Sequence, residues 1–484
     1  MTAISVLSVA SECWPLVKTG GLADVVGALP AAVAPHGVEM TRFVPGYPSV
    51  MKALGRKRVL HKYDSLLGAP ARIIAAKHDD RPVLVLDARA FFDRDGGPYS
   101  DNMGRDWADN GLRFAALSRA AADVAAGLAG TKPFDILHAH DWQAGLAPAY
   151  LVYATDVAVR PKTVVTIHNM AFQGYFGADF FHRLGLPQTA FSIEGVEYHG
   201  GVGFLKAGLA LADAITTVSP SYAEEIRRPE FGMGLEGLIL GRQDRLTGIV
   251  NGIDPAQWNS QTDPALKADF TATNIGARAV NKRAVEAAFG LDSDDGPLFV
   301  VISRLTWQKG MDVLIEVIDH LVGLGGRLAL LGTGDAFIEA GLRAGAVRHP
   351  GRVGIRNGYD EALSHLMQGG GDAILVPSRF EPCGLTQLYG LAYGCVPVVA
   401  RTGGLADTIV DANLAAVSAD AATGLLFSPV NYEGLSQAIT RAVRLYGDRE
   451  GWQRIQRRGM AADFSWTSSG KTYAQLYARL KEQQ

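Results

Sequence analysis

The sequence predicts an α/β protein of two large domains, each a parallel sheet covered by helices. Three observations carry this expectation. Short apolar runs alternate with segments of helical spacing along most of the chain, the pattern of strand, crossover helix and strand. The alternation breaks at GIVNGIDP, residues 248–255, and a second series starts beyond it. The hexapeptide TGGLAD occurs twice, at residues 19–24 and 402–407, each time behind a cation and each time where a loop leads into a helix.

The first series opens with ISVLSVA as a strand, and the Ala- and Val-rich segment 22–34 has helical spacing. FDILHAH reads as the next strand and WQAGLAPAYLVYA as its helix. KTVVTIH is then a strand before a long loop, FLKAGLALA a helix and AITTVS a strand. In the second series LFVVISRL, RLALLG, DAILVPS and VPVVA are the strands. MDVLIEVIDHLV, AFIEAGLRAGA and GLTQLYGLAYG are the helices between them. Residues 431–484 read as helices with no strand among them.

Composition narrows the classes of function. A chain of 484 residues is too long for one hydrophobic core. A net charge of −3 offers no bulk attraction to nucleic acid or to an anionic membrane, so any recognition of anions must be local. The 56 glycines exceed the usual share of ~7% and imply many tight turns. Three cysteines, an odd number without C-x-x-C spacing, suggest buried, reduced thiols and a cytoplasmic setting. MTAISVLSVASECWP has no basic segment ahead of its short apolar run and reads as a first strand, not a signal peptide. No apolar stretch approaches the ~18 residues that span a bilayer.

Candidate chemistry sits at the strand ends. Paired glycines let a backbone approach a ligand closely, and amides at a helix start favour negative charge. Arg304 and Lys309 lie on the loop after LFVVI, and with Lys18 they could surround a diphosphate. Gly332-x-Gly334 lacks the third glycine of a dinucleotide fingerprint. In SRFEPCGLTQLYG, Glu381 is held out of helix by Pro382, and a helix is expected from near Gly384. The amides of Gly384, Leu385 and Thr386 would then lie at its positive end, while Glu381 either accepts sugar hydroxyls or caps the helix. His138 and His140 share one face of a strand, with Asp141 just beyond its end. No third and fourth ligand accompanies them, so no metal is expected. His168 and Asn169 end another strand, where imidazole and amide could bind hydroxyls or serve the structure alone.

Seven ordered motifs, KTGGLADV, HAHDWQAGL, TIHNMAFQG, VNGID, SRLTWQKG, SRFEPCGLTQLYG and RTGGLADT, resemble those of bacterial glycogen synthases and the related plant starch synthases. The resemblance spans essentially the whole chain. It implies the GT-B architecture: two Rossmann-like domains facing a central cleft, with a C-terminal helix crossing back to the first. The expected divisions are 1–250, 251–460 and a terminal helix at 461–484. It implies transfer of glucose from ADP-glucose to the nonreducing end of an α-1,4-glucan with retention of configuration, and no cofactor.

Carried over residue by residue, the resemblance assigns Lys18, Arg304 and Lys309 to the diphosphate and Gly20 to the approach of the bound sugar phosphate. Glu381 is assigned to the donor glucose. Cys383, Gly384, Leu385 and Thr386 are assigned to substrate binding, the last two through their amides on the distal phosphate. Asp141, His168 and Asn251 are assigned to the sugar or acceptor side. Many retaining GT-B enzymes carry a second glutamate eight residues beyond the first, where this chain has Tyr389. The resemblance favours front-side attack over double displacement. A two-lobed sugar-binding protein and a nucleotide-sugar epimerase are the alternative readings.

Overall fold

The computed structural model describes residues 3–157 and 159–483. They fold as two units, Met1–Asn251 with Trp466–Gln484, and Gly252–Ser465. The chain thus returns to the first unit for its last helix, which runs Trp466–Glu482.

The sheet of the first unit runs in the order Leu246–Gly248, Ala214–Thr217, Lys162–Ile167, Ile136–His140, Ile4–Val9, Val38–Pro45 and Arg81–Asp87, all parallel. It is extended antiparallel by Ala69–His78 and then by the edge strand Arg58–Leu66. This meander stands outside the expected strand and helix series. It forms because both connections are two-residue turns with positive φ, Leu67 and Gly68 at 47° and 94°, Asp79 and Asp80 at 50° and 57°. Turns of that hand match the twist of paired strands and leave no room for a crossover helix. On one face of the sheet Val6, Ile136, Val164 and Ala214 pack with Val25 and Leu29 of helix Gly21–Val33 and Tyr473 and Tyr477 of the terminal helix.

In the second unit six parallel strands run Val353–Asn357, Arg327–Gly332, Leu298–Ile302, Ala373–Val376, Val396–Ala400 and Leu425–Phe427. Successive side chains go to opposite faces, as the pleat requires. Phe299, Val301, Leu328 and Leu330 join the core under helices Met311–Gly323 and Tyr432–Gly447. Leu298, Val300, Ala329 and Leu331 join the core under Arg278–Phe289 and Glu361–Gly370. Burial on both faces explains why these strands read as unbroken apolar runs. The first strand in sequence lies between the second and the fourth, so the connections diverge at Leu298–Ile302 and Ala373–Val376. A ligand crevice opens at the carboxyl ends of such a strand pair. Among the described residues no helix is long and apolar enough to cross a membrane.

Candidate active site

The loops that leave those two strands are joined by several contacts. Arg379 donates its backbone N–H to the Gln308 carbonyl at 2.9 Å. Its guanidinium donates to both carboxylate oxygens of Asp312 at 2.7 Å and lies 4.4 Å from the centre of the Trp307 ring. Gly310, at φ 68°, approaches so closely that a Cβ there would stand 1.9 Å from the Pro377 oxygen. Between these fixed loops Lys309 Nζ donates to Glu381 Oε2 at 2.5 Å, and Ser378 Oγ donates to the same oxygen at 2.9 Å. Glu381 is buried and Lys309 largely so, which strengthens the pairing relative to one in water. Glu381 therefore does not cap the following helix. That helix starts at Thr386 with Leu385 as its N-cap residue, two positions beyond the expected start near Gly384. Gly384 takes φ 73° instead, where a side chain would be strained and would press against Gln387. Arg304 is exposed on the same strand-end loop, and Cys383 is buried.

The second TGGLAD copy supports this carboxylate. Gly403, at φ 42°, lies where a Cβ would meet the Glu381 carbonyl oxygen at 2.0 Å, and a Cβ on Gly404 would meet the Cys383 oxygen at 2.2 Å. The Gly404 N–H donates to the carbonyls of Glu381 and Pro382 at 3.1 and 3.2 Å. The first copy is built differently. A Cβ on Gly20 would meet no atom within 4 Å, and its φ of −157° is open to any residue. That loop is held by Glu12, a buried carboxylate that accepts from Thr19 Oγ1 at 2.6 Å, from Gly20 N–H at 3.3 Å and from the Tyr99 hydroxyl. Lys18 pairs with Asp24 at 2.9 Å and lies 5.1 Å from the centre of the Trp14 ring.

Glu12, Asp141 and His168 follow three adjacent strands of the first unit at their carboxyl ends. Asp141 Oδ1 accepts from the backbone N–H of His168 at 2.7 Å and of Asn169 at 3.4 Å. Its own backbone sits at φ 57° and ψ −170°, a conformation that costs a non-glycine residue about 1–3 kcal/mol. Burial pushes the Asp141 carboxyl up to about 7, against the two backbone donors and with a further push from the Glu12 carboxylate. His140 links by Nδ1 to His168 Nε2 at 3.0 Å and by Nε2 to Ser8 Oγ at 3.1 Å. His138 links to the Tyr477 hydroxyl at 2.8 Å and to Thr166 Oγ1 at 2.6 Å. Burial lowers His138 and His168 to about 3 and, together with those two neighbouring rings, holds His140 well below the usual imidazole range, so the three rings are neutral near pH 7. Asn251 is buried, and its side-chain oxygen has no partner among the described residues.

Each unit thus gathers its own sequence-predicted residues at one end of its sheet: Lys309, Glu381 and the 383–386 turn in the second, Asp141 and His168 in the first. Glu12 is a functional candidate that the motifs do not pick out; an acidic residue just past an apolar strand is the signal that could have found it. Exposed aromatics at the carboxyl end of the second sheet, Trp307, Phe337 and Tyr359, are a further addition. Gly332 and Gly334 serve packing: a Cβ at either would strike the Ser303 or Leu305 carbonyl oxygen at 2.1 or 2.3 Å.

Two α/β units, one with cations and helix amides gathered at its strand divergence, define a glycosyltransferase of GT-B architecture. Residues 5–240 match the family described as starch synthase catalytic domain, and residues 285–458 match glycosyl transferases group 1. The chain is 68% identical over 478 residues to a glycogen synthase of Novosphingobium aromaticivorans and 57% identical over 479 residues to glycogen synthase 1 of Rhizobium meliloti, covering 99% of each chain. The solved catalytic domain of starch synthase IV from Arabidopsis thaliana, bound to ADP and acarbose, superposes with a TM-score of 0.88 at 31% identity, over 99% of this chain and 100% of that one. Sucrose-phosphate synthase from Thermosynechococcus elongatus shares the fold at a TM-score of 0.60 and 17% identity, over 99% of this chain and 100% of that one. The chain belongs to the glycogen synthase and starch synthase family.

Proposed function

We propose that this chain moves glucose from ADP-glucose to the nonreducing end of an α-1,4-glucan, with retention, in the cytoplasm. The observation that carries the reading is the Lys309–Glu381 pair at 2.5 Å where the strand connections of the second sheet diverge. Departure of a diphosphate from the anomeric carbon leaves positive charge on the sugar and adds negative charge to the leaving group. Lys309 and Arg304 offset the second charge, together with the start of helix Thr386–Tyr393, where the Leu385 and Thr386 amides take the distal phosphate. Cys383 and Gly384 shape that turn. The named bonds on Glu381 fall on Oε2, which leaves Oε1 to accept a hydroxyl of the donor glucose.

Lys18 supplies a further cation to the diphosphate, and the open space over Gly20 admits the sugar phosphate. Asp141, His168 and Asn251 serve the sugar or acceptor side. In front-side attack the C1–phosphate bond breaks, the acceptor oxygen bonds to C1 on the same face, and its proton passes to the departing diphosphate. Incubation with labelled ADP-glucose or UDP-glucose and glycogen tests this: label should enter polymer faster from ADP-glucose. Faster incorporation from UDP-glucose corrects the donor, and none from either rejects the reading.

A further inference from the structure

A polar cavity of the C-terminal unit lies at the opposite end of its sheet from Glu381. Its volume is about 380 Å³, within the size range of small-molecule sites. Asp372, which immediately precedes strand Ala373–Val376, lines it, whereas Ser378 and Glu381 follow that strand. Two helices provide most of the wall. Arg278 and Lys282 are one turn apart on Arg278–Phe289, with Arg283 beside them. Arg449, Trp452 and Gln456 lie along one face of Arg449–Ala461.

The charges of this wall do not balance. Four cations, Arg278, Lys282, Arg283 and Arg449, meet two carboxylates, Asp295 and Asp372. Lys282 pairs with Asp372 at 2.7 Å and Arg283 with the buried Glu286, which lies outside the lining, at 2.9 Å, whereas Arg278 and Arg449 have no carboxylate in ion-pair contact among the described residues. The side chain of Arg278 donates to the carbonyls of Gln368 and Gly371, and that of Arg449 donates to the carbonyl of Asp295, so their hydrogen bonds to oxygen leave the positive charge uncancelled. Two buried donors, Arg278 Nε and Trp452 Nε1, have no partner among the described residues. A buried donor left in this state is costly unless a ligand or water satisfies it.

The aromatic lining decides which ligand. Trp452 is 3% exposed and Tyr446 6%, and the Arg449 guanidinium covers the Tyr446 ring at 3.9 Å. No open ring face is left on which a pyranose or a base could stack, so recognition falls to charge and hydrogen bonds. We propose that this cavity binds a small phosphorylated molecule through its phosphate monoester, held by Arg283 and Arg449 at the mouth and by Arg278 within. Two arginines without a carboxylate partner, beside a paired arginine and a paired lysine, in a small concave wall suit a dianion with three acceptor oxygens.

Calorimetric titration of the full-length protein with glucose 6-phosphate, inorganic phosphate and unphosphorylated glucose tests the proposal. Both phosphates should bind and glucose should not. Arg283→Gln/Arg449→Gln should weaken the phosphates at least tenfold while leaving ADP affinity and glucan elongation unchanged. Trp452→Phe, which removes the indole donor together with part of the buried ring, should weaken them severalfold. Lys309→Gln should show the converse, weaker ADP binding with phosphate binding retained. Absence of phosphate binding to the wild type, equal binding by the double variant, binding of glucose as tight as its phosphate, or loss of phosphate binding in Lys309→Gln would each overturn the site.

Discussion

Two carboxylates of this protein, both buried, are handled in opposite ways. Glu381 is given a cation and a hydroxyl at the place where the donor sugar is proposed to become cationic. Glu381→Gln keeps the size and can still accept from Lys309, so the expected loss is in turnover. A fall in kcat of about a hundredfold with little change in the donor KM is predicted, because the charge matters most in the transition state. Steady-state kinetics with ADP-glucose checks this, and an unchanged kcat with a raised KM would make Glu381 a ground-state contact only. Asp141 is given no cation, and burial lifts its carboxyl to about 7, well above its value of about 3.9 in an unfolded chain. Its folded pKa is raised, so the stability it contributes is fully present below about pH 3.9 and is lost as pH rises through about 7. Asp141→Asn, which resembles the protonated form, should therefore be less harmful, or even stabilising, at pH 8 than at pH 5. Melting temperatures of both proteins across that range give the comparison, and a difference independent of pH would show that Asp141 is not held protonated.

The two TGGLAD elements share a sequence but not a constraint. In the second, the glycines exist because the backbone of Glu381, Pro382 and Cys383 runs against them, so Gly403→Ala combines a left-handed φ with a clash at 2.0 Å. The expected cost is about 2–5 kcal/mol, enough to lower the melting temperature of that unit by several degrees and to displace Glu381. Gly20→Ala faces neither problem and should fold with a change of about 1 kcal/mol or less. It should nonetheless lower catalytic efficiency, because its methyl group would enter the space proposed for the sugar phosphate. Equal melting temperatures for the two variants would show that the clash is relieved by movement of the loop. This difference could not be read from the repeat itself, since it depends on which distant backbone each loop touches. The doubly wound series was legible because buried parallel strands leave long apolar runs between helical spacings. The 58–87 meander was less so: RVLHKYDSL alternates weakly, and its turns are Leu-Gly and Asp-Asp rather than the commoner Asn-Gly. Lys309 and Glu381 stood out because charged residues at strand ends are conspicuous. Glu12 carries the same signal but stands outside the motifs, and the contacts that make it a candidate exist only once the 13–20 loop has folded back over it.

At the scale of the molecule, the chain ends by returning to the unit in which it began, and this couples the terminal helix to the buried histidines. Trp466, Tyr473, Leu476, Tyr477 and Leu480 complete the core beside helix Gly21–Val33, while the Tyr477 hydroxyl satisfies His138 Nδ1. Tyr477→Phe should leave that nitrogen unpartnered in the core at a cost of about 1–3 kcal/mol. The two units should also answer acid differently. In the first, His138, His140 and His168 are depressed by burial, so the stability they contribute is present above their unfolded value near 6.5 and is lost as pH falls toward their folded values. Near pH 5 the unfolded segment takes up three protons at these rings, and Asp141 opposes them with one in the folded state. The balance still makes this unit weaken with acid. In the second unit His365 is raised: burial alone would lower it, but Glu361 and Asp263 outweigh that, the latter at 2.6 Å. Its contribution is present below the unfolded value near 6.5 and is lost as pH rises through the raised folded one. From pH 7.5 down to 5, then, the first unit should lose stability while the second gains slightly and levels off. Limited proteolysis along a temperature ramp, with fragments mapped to each unit, reads the two separately. Tyr477→Phe should accelerate cleavage of the first unit alone, and the gap between the units should widen as pH falls. Parallel loss of both units over this range, or earlier cleavage of the second, would mean that the buried histidines do not set the acid response.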